Sequence, residues 1–434
     1  MMNPYLTNIS PDSFSGILFA MEGVENVLTL LNGPSGCKFY HSATSDSQAL
    51  RQKEFDPLNY PEEWYFGQPR IPCTFLDRRD YVYGSKEKLL DGIAFFKERV
   101  SFDLLCVVNS PGAALIGDDL AGILSLALDD IPYITVETPG FSSNVCRGYE
   151  TGVLSLLRQL EAKRLTVPAE PLTVNLLGIS IYHNYHEGDL KELKRLFALC
   201  GIGVHCCVCA GCSLTELLSL PQASLNVVVR PEYGLETARY LAETCGTPYY
   251  VCDGPPVGFA ATEKMMTDIC RILGADPTAV ITESERARGR AYVHLSRLNS
   301  LTGLPRGVAF SVEGTWSEAY AYGSFLIHYL GMAPVCFSIT SPDSDCRQSL
   351  LLSLAEQYKC PQTLEADILE TPGEIVLANG CTIAKLKLTH HIFSGIENAL
   401  PGMGYINVTP KTHLGINGAL FLLEQVLNGL TYSY

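Results

Sequence analysis

The stretch Val27-Leu28-Thr29-Leu30-Leu31-Asn32-Gly33-Pro34-Ser35-Gly36-Cys37 decides the fold. Val27 to Leu31 is an apolar, β-rich run, which reads as a buried strand. The Gly33–Gly36 turn ends it, and a cysteine stands just beyond. The same rhythm recurs downstream. Leu104 to Val108 is a second strand, ending in the Asn109–Gly112 turn, and Tyr133 to Val136 is a third, ending before Pro139. A helical stretch, Asn144 to Leu165, follows, with Leu154, Leu157 and Leu160 at helical spacing.

Beyond the Pro-bearing linker Val167 to Pro171 the pattern repeats. Strands are expected at Thr173–Ile179, Gly203–Cys207, Leu225–Val229 and Tyr249–Cys252. Helices are expected at Asp189–Cys200, Leu214–Ser219, Leu235–Cys245 and Ala261–Leu273. A charged helix, Thr282 to Leu301, bridges into a third unit. That unit has expected strands at Gly307–Ser311, Ala333–Ser338, Glu374–Ala378 and Thr382–Leu388, and a final helix near Gly418–Leu427. Strands alternating with helices argue an α/β class of parallel sheets. Three such units in series predict three Rossmann-like domains, at 1–170, 171–280 and 281–434. Ligand sites are then expected at the carboxyl ends of strands.

Composition narrows the classes of function. The chain has 434 residues, 47% hydrophobic and 18% charged, which excludes a disordered or fibrous protein. With 31 basic and 46 acidic residues, the formal charge is −15. An acidic chain without a basic run predicts neither nucleic-acid binding nor attraction to anionic lipid. Met1 to Ser10 has no basic segment, and no apolar run reaches membrane-spanning length. A cytoplasmic location is therefore expected, with the sixteen cysteines reduced. No GxGxxG joins a strand to a helix and no GxxxxGK[ST] occurs, so no nucleotide is expected on this chain.

Four segments could carry chemistry. Cys37 ends the Gly33–Gly36 turn, where glycines admit a bulky ligand and a thiolate could hold an iron–sulfur cluster. The alternative is a plain turn with a buried thiol. Cys73, in Arg70-Ile71-Pro72-Cys73-Thr74, precedes Asp77, Asp80 and the Tyr83-Gly84-Ser85 turn, and is expected near Cys37. Asn109 to Asp119 is a strand-to-helix loop whose Asp118 and Asp119 suit a helix N-terminus. Cys206, Cys207, Cys209 and Cys212 crowd into seven residues after a strand. They could ligate metal, cycle as a dithiol, or fill a buried turn.

In series these segments resemble the nitrogenase component 1 family. It includes the nitrogenase catalytic subunits, the cofactor-assembly scaffold, the dark-operative protochlorophyllide reductase and the F430-type reductive cyclase. The resemblance rests on strand–Gly-x-x-Gly-Cys37, on Asp77 to Ser85, and on Leu115-Ile116-Gly117-Asp118-Asp119. It continues through Val174 to Gly178, Gly188-Asp189-Leu190, Thr247-Pro248-Tyr249, Glu285 to Arg288, and Gly404 to Ala419.

The resemblance implies three domains around a central cleft. It implies a homodimer or heterodimer with a second component 1-like chain, and an ATP-dependent iron protein as electron donor. It also implies an iron–sulfur cluster, [4Fe-4S], at the dimer interface, held by three cysteines per chain. Only Cys37 matches plainly. The first family cysteine falls near Asp12, Ser13 or Ser15, and the third at Ser110 or Pro111; Cys106 lies on the preceding strand. Cys37 and Cys73 from each half of a two-fold dimer would restore four thiolates. An Asp or Ser ligand, or a partner supplying three cysteines, is the alternative.

For a second metallocofactor, the family's cysteine ligand corresponds to Arg230 and its histidine falls near Tyr405. Arg230 at a strand end suits an anion or carboxylate. His390, His391 and especially His413 could face the same cleft, so Arg230, His413 and Tyr405 are the catalytic candidates. The expected function is the substrate-reducing component of a nitrogenase-like reductase, with nitrogen itself disfavoured as substrate. A metallocluster-assembly scaffold, a non-catalytic partner chain, and a binding module that has lost its metal are the alternatives.

Overall fold

The computed structural model describes residues 11–38, 71–128, 130–137, 143–342, 344, 346–389, 394–398, 400 and 408–433. Three sheets follow one another along the chain, and every paired strand in them is parallel. The first holds β1 (Val27–Asn32), β2 (Leu104–Asn109) and β3 (Tyr133–Val136), in order β1-β2-β3. The second holds β4 (Glu170–Leu177), β5 (Gly203–Cys207), β6 (Ala223–Val228) and β7 (Tyr249–Val251), in order β5-β4-β6-β7. The third holds β8 (Ala309–Gly314), β9 (Ala333–Ile339), β10 (Ile375–Ala378) and β11 (Ser394–Glu397), in order β11-β10-β8-β9.

Counting helices of eight residues or more, the chain contributes α1 (Ser13–Glu22), α2 (Lys86–Arg99), α3 (Leu120–Ala127), α4 (Val145–Gln159), α5 (His186–Leu199) and α6 (Leu235–Cys245). It continues with α7 (Phe259–Leu273), α8 (Thr278–Thr302), α9 (Trp316–His328), α10 (Gln348–Gln357), α11 (Gly380–Leu388) and α12 (Gly415–Ser433). None of the described helices is long and apolar enough to cross a membrane.

The all-apolar run of β2 is explained by what covers it. Side chains alternate between sheet faces. Leu105 and Val107 join Leu28, Leu30, Leu89, Ile93 and Leu124 in one core, against α2 and α3. Cys106 and Val108 join Leu31, Ile17, Leu18, Tyr149 and Val153 in another, against α1 and α4. With helices on both faces, no position of β2 meets water, which is why it lacks alternation.

Helix α1 is buried along its whole length. It lies against α4 at backbone contact: a Cβ on Gly148 would sit 1.9 Å from the Ser13 carbonyl oxygen. Only glycine allows that approach.

Parallel register pairs Asn32 with Asn109, so the loops after β1 and β2 emerge side by side at the carboxyl edge of the first sheet. The Asn144–Leu165 helix is shorter than expected: α4 stops at Gln159 and a 3₁₀ turn, Glu161–Lys163, follows. One assignment is corrected. Thr382–Leu388, expected as a strand, is helical within α11. Asn379 caps it, accepting from the Cys381 N–H at 2.7 Å, and Thr382 Oγ1 donates to Glu313 at 2.7 Å. The buried Ile383 and Leu386 stand three residues apart, a helical rather than alternating spacing. The fourth strand is instead Ser394–Glu397.

Candidate functional site

The carboxyl end of the first sheet is built on a buried asparagine. Asn32 Nδ2 donates to Asn109 Oδ1 and to Ser85 Oγ, each at 2.9 Å. Its Oδ1 accepts from Thr74 Oγ1 at 2.9 Å, and that hydroxyl accepts from the Gly33 N–H at 3.0 Å. Ser85 in turn donates to Asp118 Oδ2 from its N–H at 2.6 Å and its hydroxyl at 2.7 Å. Donors therefore run one way, from Gly33 through Thr74, Asn32 and Ser85, and end on a carboxylate. Asp119 caps α3, accepting from the Gly122 N–H at 3.0 Å. The helix-terminus expectation thus holds for Asp119, whereas Asp118 is an anchor for the Ser85 turn.

This network fixes the two loop cysteines. Residues 72–76 lie along the free edge of β1: Leu31 N–H donates to Pro72 O at 2.9 Å, Thr74 N–H to Leu31 O at 3.0 Å, and Leu76 N–H to Gly33 O at 3.1 Å. Cys73 is buried there, bridged to Leu31 in parallel. Cys37 follows in a 3₁₀ turn, Ser35–Lys38, and is half-buried. Burial, and then the neighbouring Cys73, push the Cys37 thiol up. The two cysteines are thus electrostatic neighbours on one sheet edge.

The other positions at which the resemblance calls for cysteine hold backbone caps. Asp12 caps α1, accepting from the Ser15 N–H at 2.9 Å and its hydroxyl at 3.0 Å. Ser13 is buried and donates its N–H to Ser143 O at 3.1 Å. Ser110 is fully buried, donates its N–H to Asn32 O at 2.9 Å, and caps the Pro111–Ala114 turn through Ala113 N–H at 3.3 Å. Outside the cysteine pair, Phe75, Tyr81, Val82, Tyr83 and Leu115 are exposed, Tyr83 by 82% and Leu115 by 85%.

The cysteine-rich run sits elsewhere, at a seam between α1 and the second sheet. The Gly211 and Cys212 N–H groups donate to Gly23 O at 2.8 and 3.3 Å, and Glu25 N–H donates back to Cys212 O at 2.8 Å. Cys206, Cys209 and Cys212 lie in the core that includes α1 and Cys106, whereas Cys207 faces the core around Ile179 and Leu193. Four sulfurs therefore do not share one side. All four are buried. Cys209 takes a left-handed conformation, φ 53°, and its N–H donates to Cys212 Sγ at 3.3 Å. Burial pushes the Cys206 thiol up, and the hydrogen bond that Cys209 makes with Cys212 pushes the Cys209 thiol up. Among the described residues no group of three or more His, Cys, Asp or Glu is arranged to hold a metal ion.

A third cluster surrounds Arg230. The residue is 3% exposed, pairs with Asp189 at 3.1 Å and Glu318 at 3.3 Å, and leaves Nη1 without a hydrogen-bond partner. Burial opposes its charge, but the two carboxylates outweigh it and hold the guanidinium up. Thr412 donates to Asp189 at 2.7 Å, and Ser317 donates to Glu232 from its N–H at 2.8 Å and its hydroxyl at 2.5 Å. Burial pushes Glu232 up to about 7. His183 accepts from the Ser180 N–H at 3.0 Å and packs edge-on against Tyr233, its Nε2 buried without a partner.

His413 pairs with Tyr322 at 3.0 Å and Gln425 at 2.7 Å, and burial holds it down at about 4. It is a neutral, doubly hydrogen-bonded imidazole at pH 7. Tyr405, His390 and His391 lie outside the described residues. The junction does not fit a nitrogenase-type second metallocofactor: where the thiolate ligand should be stands Arg230, already committed to two carboxylates. Sequence alone did not single out Asn32, Thr74 and Ser85, or the acids around Arg230. A signal existed for the first group, since β1 and β2 both end in asparagine.

A match to the family described as nitrogenase component 1 type oxidoreductase extends over residues 13–431. The chain belongs to this family. A light-independent protochlorophyllide reductase subunit from Methylocella silvestris is 30% identical over 192 residues, 43% of this chain and 37% of that protein. Its counterpart from Synechococcus sp. is 26% identical over 334 residues, 73% of this chain and 61% of that protein. This nitrogenase component 1-type chain thus spans 37% to 61% of the length of these curated relatives. The structure of nitrogenase Cp1 at pH 6.5 superposes with TM-score 0.76 and 16% identity, covering 98% of this chain and 93% of that one, a likeness of fold.

Proposed function

We propose that this chain is one subunit of a nitrogenase-like reductase that accepts electrons from an ATP-hydrolysing iron protein and reduces a substrate held at the Arg230 junction. The observation that carries this reading is the neighbouring Cys37 and Cys73 at one sheet edge, with exposed apolar residues on the loops that carry Thr74, Ser85 and Asp118. Two thiols leave half of a four-iron cluster's protein ligands to be found, and in this reading a second chain supplies them. In a two-fold dimer the same patch meets its own copy, and each protomer contributes Cys37 and Cys73. When bound, a [4Fe-4S] cluster supplies one-electron relay across that interface. The chain's own task there is rigidity: the Asn32 network fixes both loops before any partner arrives.

At the junction, Arg230 and His183 leave Nη1 and Nε2 buried without partners, and with Asp189 and Glu318 already neutralising the guanidinium these donors suit a neutral polarised carbonyl. Glu232, held partly protonated near neutral pH, can donate a proton there. The curated relatives, named as protochlorophyllide reductase subunits, make a conjugated tetrapyrrole the first substrate class to assay. The burial of Cys206 to Cys212 disfavours a scaffold that passes metal outward.

The deciding experiment quantifies iron and acid-labile sulfide after anaerobic purification. About four irons per dimer are expected, lost in both Cys37→Ala and Cys73→Ala. Iron retained in Cys73→Ala rejects the two-plus-two donor set. An iron-free wild type after anaerobic reconstitution with iron and sulfide rejects the cluster altogether.

A further inference from the structure

We propose that the cavity between the Cys252–Gly258 loop and α9 binds a planar aromatic acid, its ring against Phe325 and Tyr329 and its anionic group at Lys264 and Arg288. The cavity measures about 410 Å³, the size range of small-molecule sites. It shares no lining residue with the Cys37–Cys73 edge or the Arg230 junction, so the proposal stands apart from the reductase reading.

One wall is lined by aromatic side chains, of which Tyr329 and Tyr320 are more open than Phe325 and Phe259. Phe325 and Tyr329 stack at 5.3 Å with 16° between planes, and Phe259 meets Tyr329 edge-on at 5.3 Å. Pro255 and Pro256 add rigid apolar surface from the loop. Such walls favour a flat ring over a flexible chain, because stacking needs little ordering of either partner.

The polar groups fix the sign of the ligand. Two cations line the cavity, Lys264 and Arg288, with one carboxylate, Asp253, in the lining; Asp268, 3.7 Å from Lys264, and Glu263 flank the cations from outside it. Lys264 is 55% exposed and bonded to Asp253 at 2.9 Å, leaving donors to spare. Arg288 lies 5.3 Å above the Phe259 ring and pairs with Glu263 at 2.8 Å from one edge of its guanidinium. The first turn of α7, which also lines the cavity, contains no acidic residue and has no side-chain cap, so its N–H groups add the same sign.

The test uses naphthalene-2-carboxylate with the full chain in isothermal titration calorimetry. One site per chain is expected. Lys264→Gln and Arg288→Gln should each weaken it about fivefold, the loss of one partly screened charge contact. Ser324→Trp, which fills the cavity from a half-buried position, should abolish binding while the circular dichroism spectrum stays native. The 2-naphthylmethylammonium ion should bind at least tenfold more weakly than the acid. No saturable binding of the acid, equal binding of acid and ammonium probes, or undiminished binding in both Gln variants overturns the proposal. Should Ser324→Trp fail to fold, the exposed-edge Gln variants and the ammonium comparison decide.

Discussion

Asp118 terminates a relay of hydrogen bonds that reaches Gly33 through three side chains, and the candidate cluster loop depends on it. Removing the carboxylate leaves the Ser85 N–H and hydroxyl without their acceptor. Asp118→Ala should therefore cost on the order of 2 kcal/mol, measured by urea unfolding, and should loosen the Cys37 turn enough to raise its alkylation rate. An unchanged midpoint and unchanged alkylation would show the relay to be dispensable. Asp118 was not legible as an anchor because its partner lies 33 residues away, beyond any local pattern. Cys37, by contrast, was legible, since a strand, a glycine turn and a thiol are contiguous.

Glu232 yields a second residue-scale prediction. Its folded-state value of about 7 exceeds the ordinary 4.5, so the native state holds the proton longer than the unfolded chain. That stabilisation is complete below about pH 4.5 and is lost as pH rises toward 7. Glu232→Gln still accepts from the Ser317 N–H, lets the Ser317 hydroxyl turn to accept from the new amide, and removes the slope. It should gain roughly 3 kcal/mol over wild type at pH 8 but only about 1 kcal/mol at pH 5, read from denaturation midpoints across that window. A pH-independent difference would mean that Glu232 is not the titrating group.

At the scale of elements, the α1–α4 contact is a tight constraint and makes a sharp contrast between two glycines. Gly148→Ala places a methyl group 1.9 Å from Ser13 O, and neither backbone can yield without separating the helices. A loss of 3 kcal/mol or more is expected, on the order of severe overpacking. Gly92, inside α2, has open space where a Cβ would stand, and Gly92→Ala should stabilise by about 0.5–1 kcal/mol through helix propensity. Thermal unfolding of the pair checks both signs at once. Elements were legible where burial made them uniform: the apolar runs of β1, β2, β4, β6 and β10 all read as strands. Thr382–Leu388 misled because Thr and Ile favour strands, while the deciding features, the Asn379 cap and the Thr382–Glu313 bond, are tertiary. Helix α1 escaped notice because apolar residues surround it on every side, so it has little amphipathic period to read.

For the whole molecule, the proposed two-fold dimer raises the question of what would press two chains together. Each carries −15, so at low ionic strength two copies repel over tens of ångströms. Phe75, Val82, Tyr83 and Leu115 expose apolar surface on the loops that carry Thr74, Ser85 and Asp118, and burial of that surface is driven by water rather than by charge. If this surface is the interface, salt should strengthen the dimer, because screening removes the repulsion and leaves the apolar term intact. Sedimentation equilibrium of the anaerobic protein should show the dissociation constant falling several-fold between about 50 and 300 mM NaCl, roughly 1 kcal/mol or less. Tyr83→Asp with Leu115→Asp should abolish dimer and iron together, without lowering the urea midpoint, since both side chains are already more than four-fifths exposed in the single chain. A dimer weakened by salt would point to an interface of ion pairs elsewhere. Iron retained by a monomeric double variant would remove the shared cluster from between the protomers.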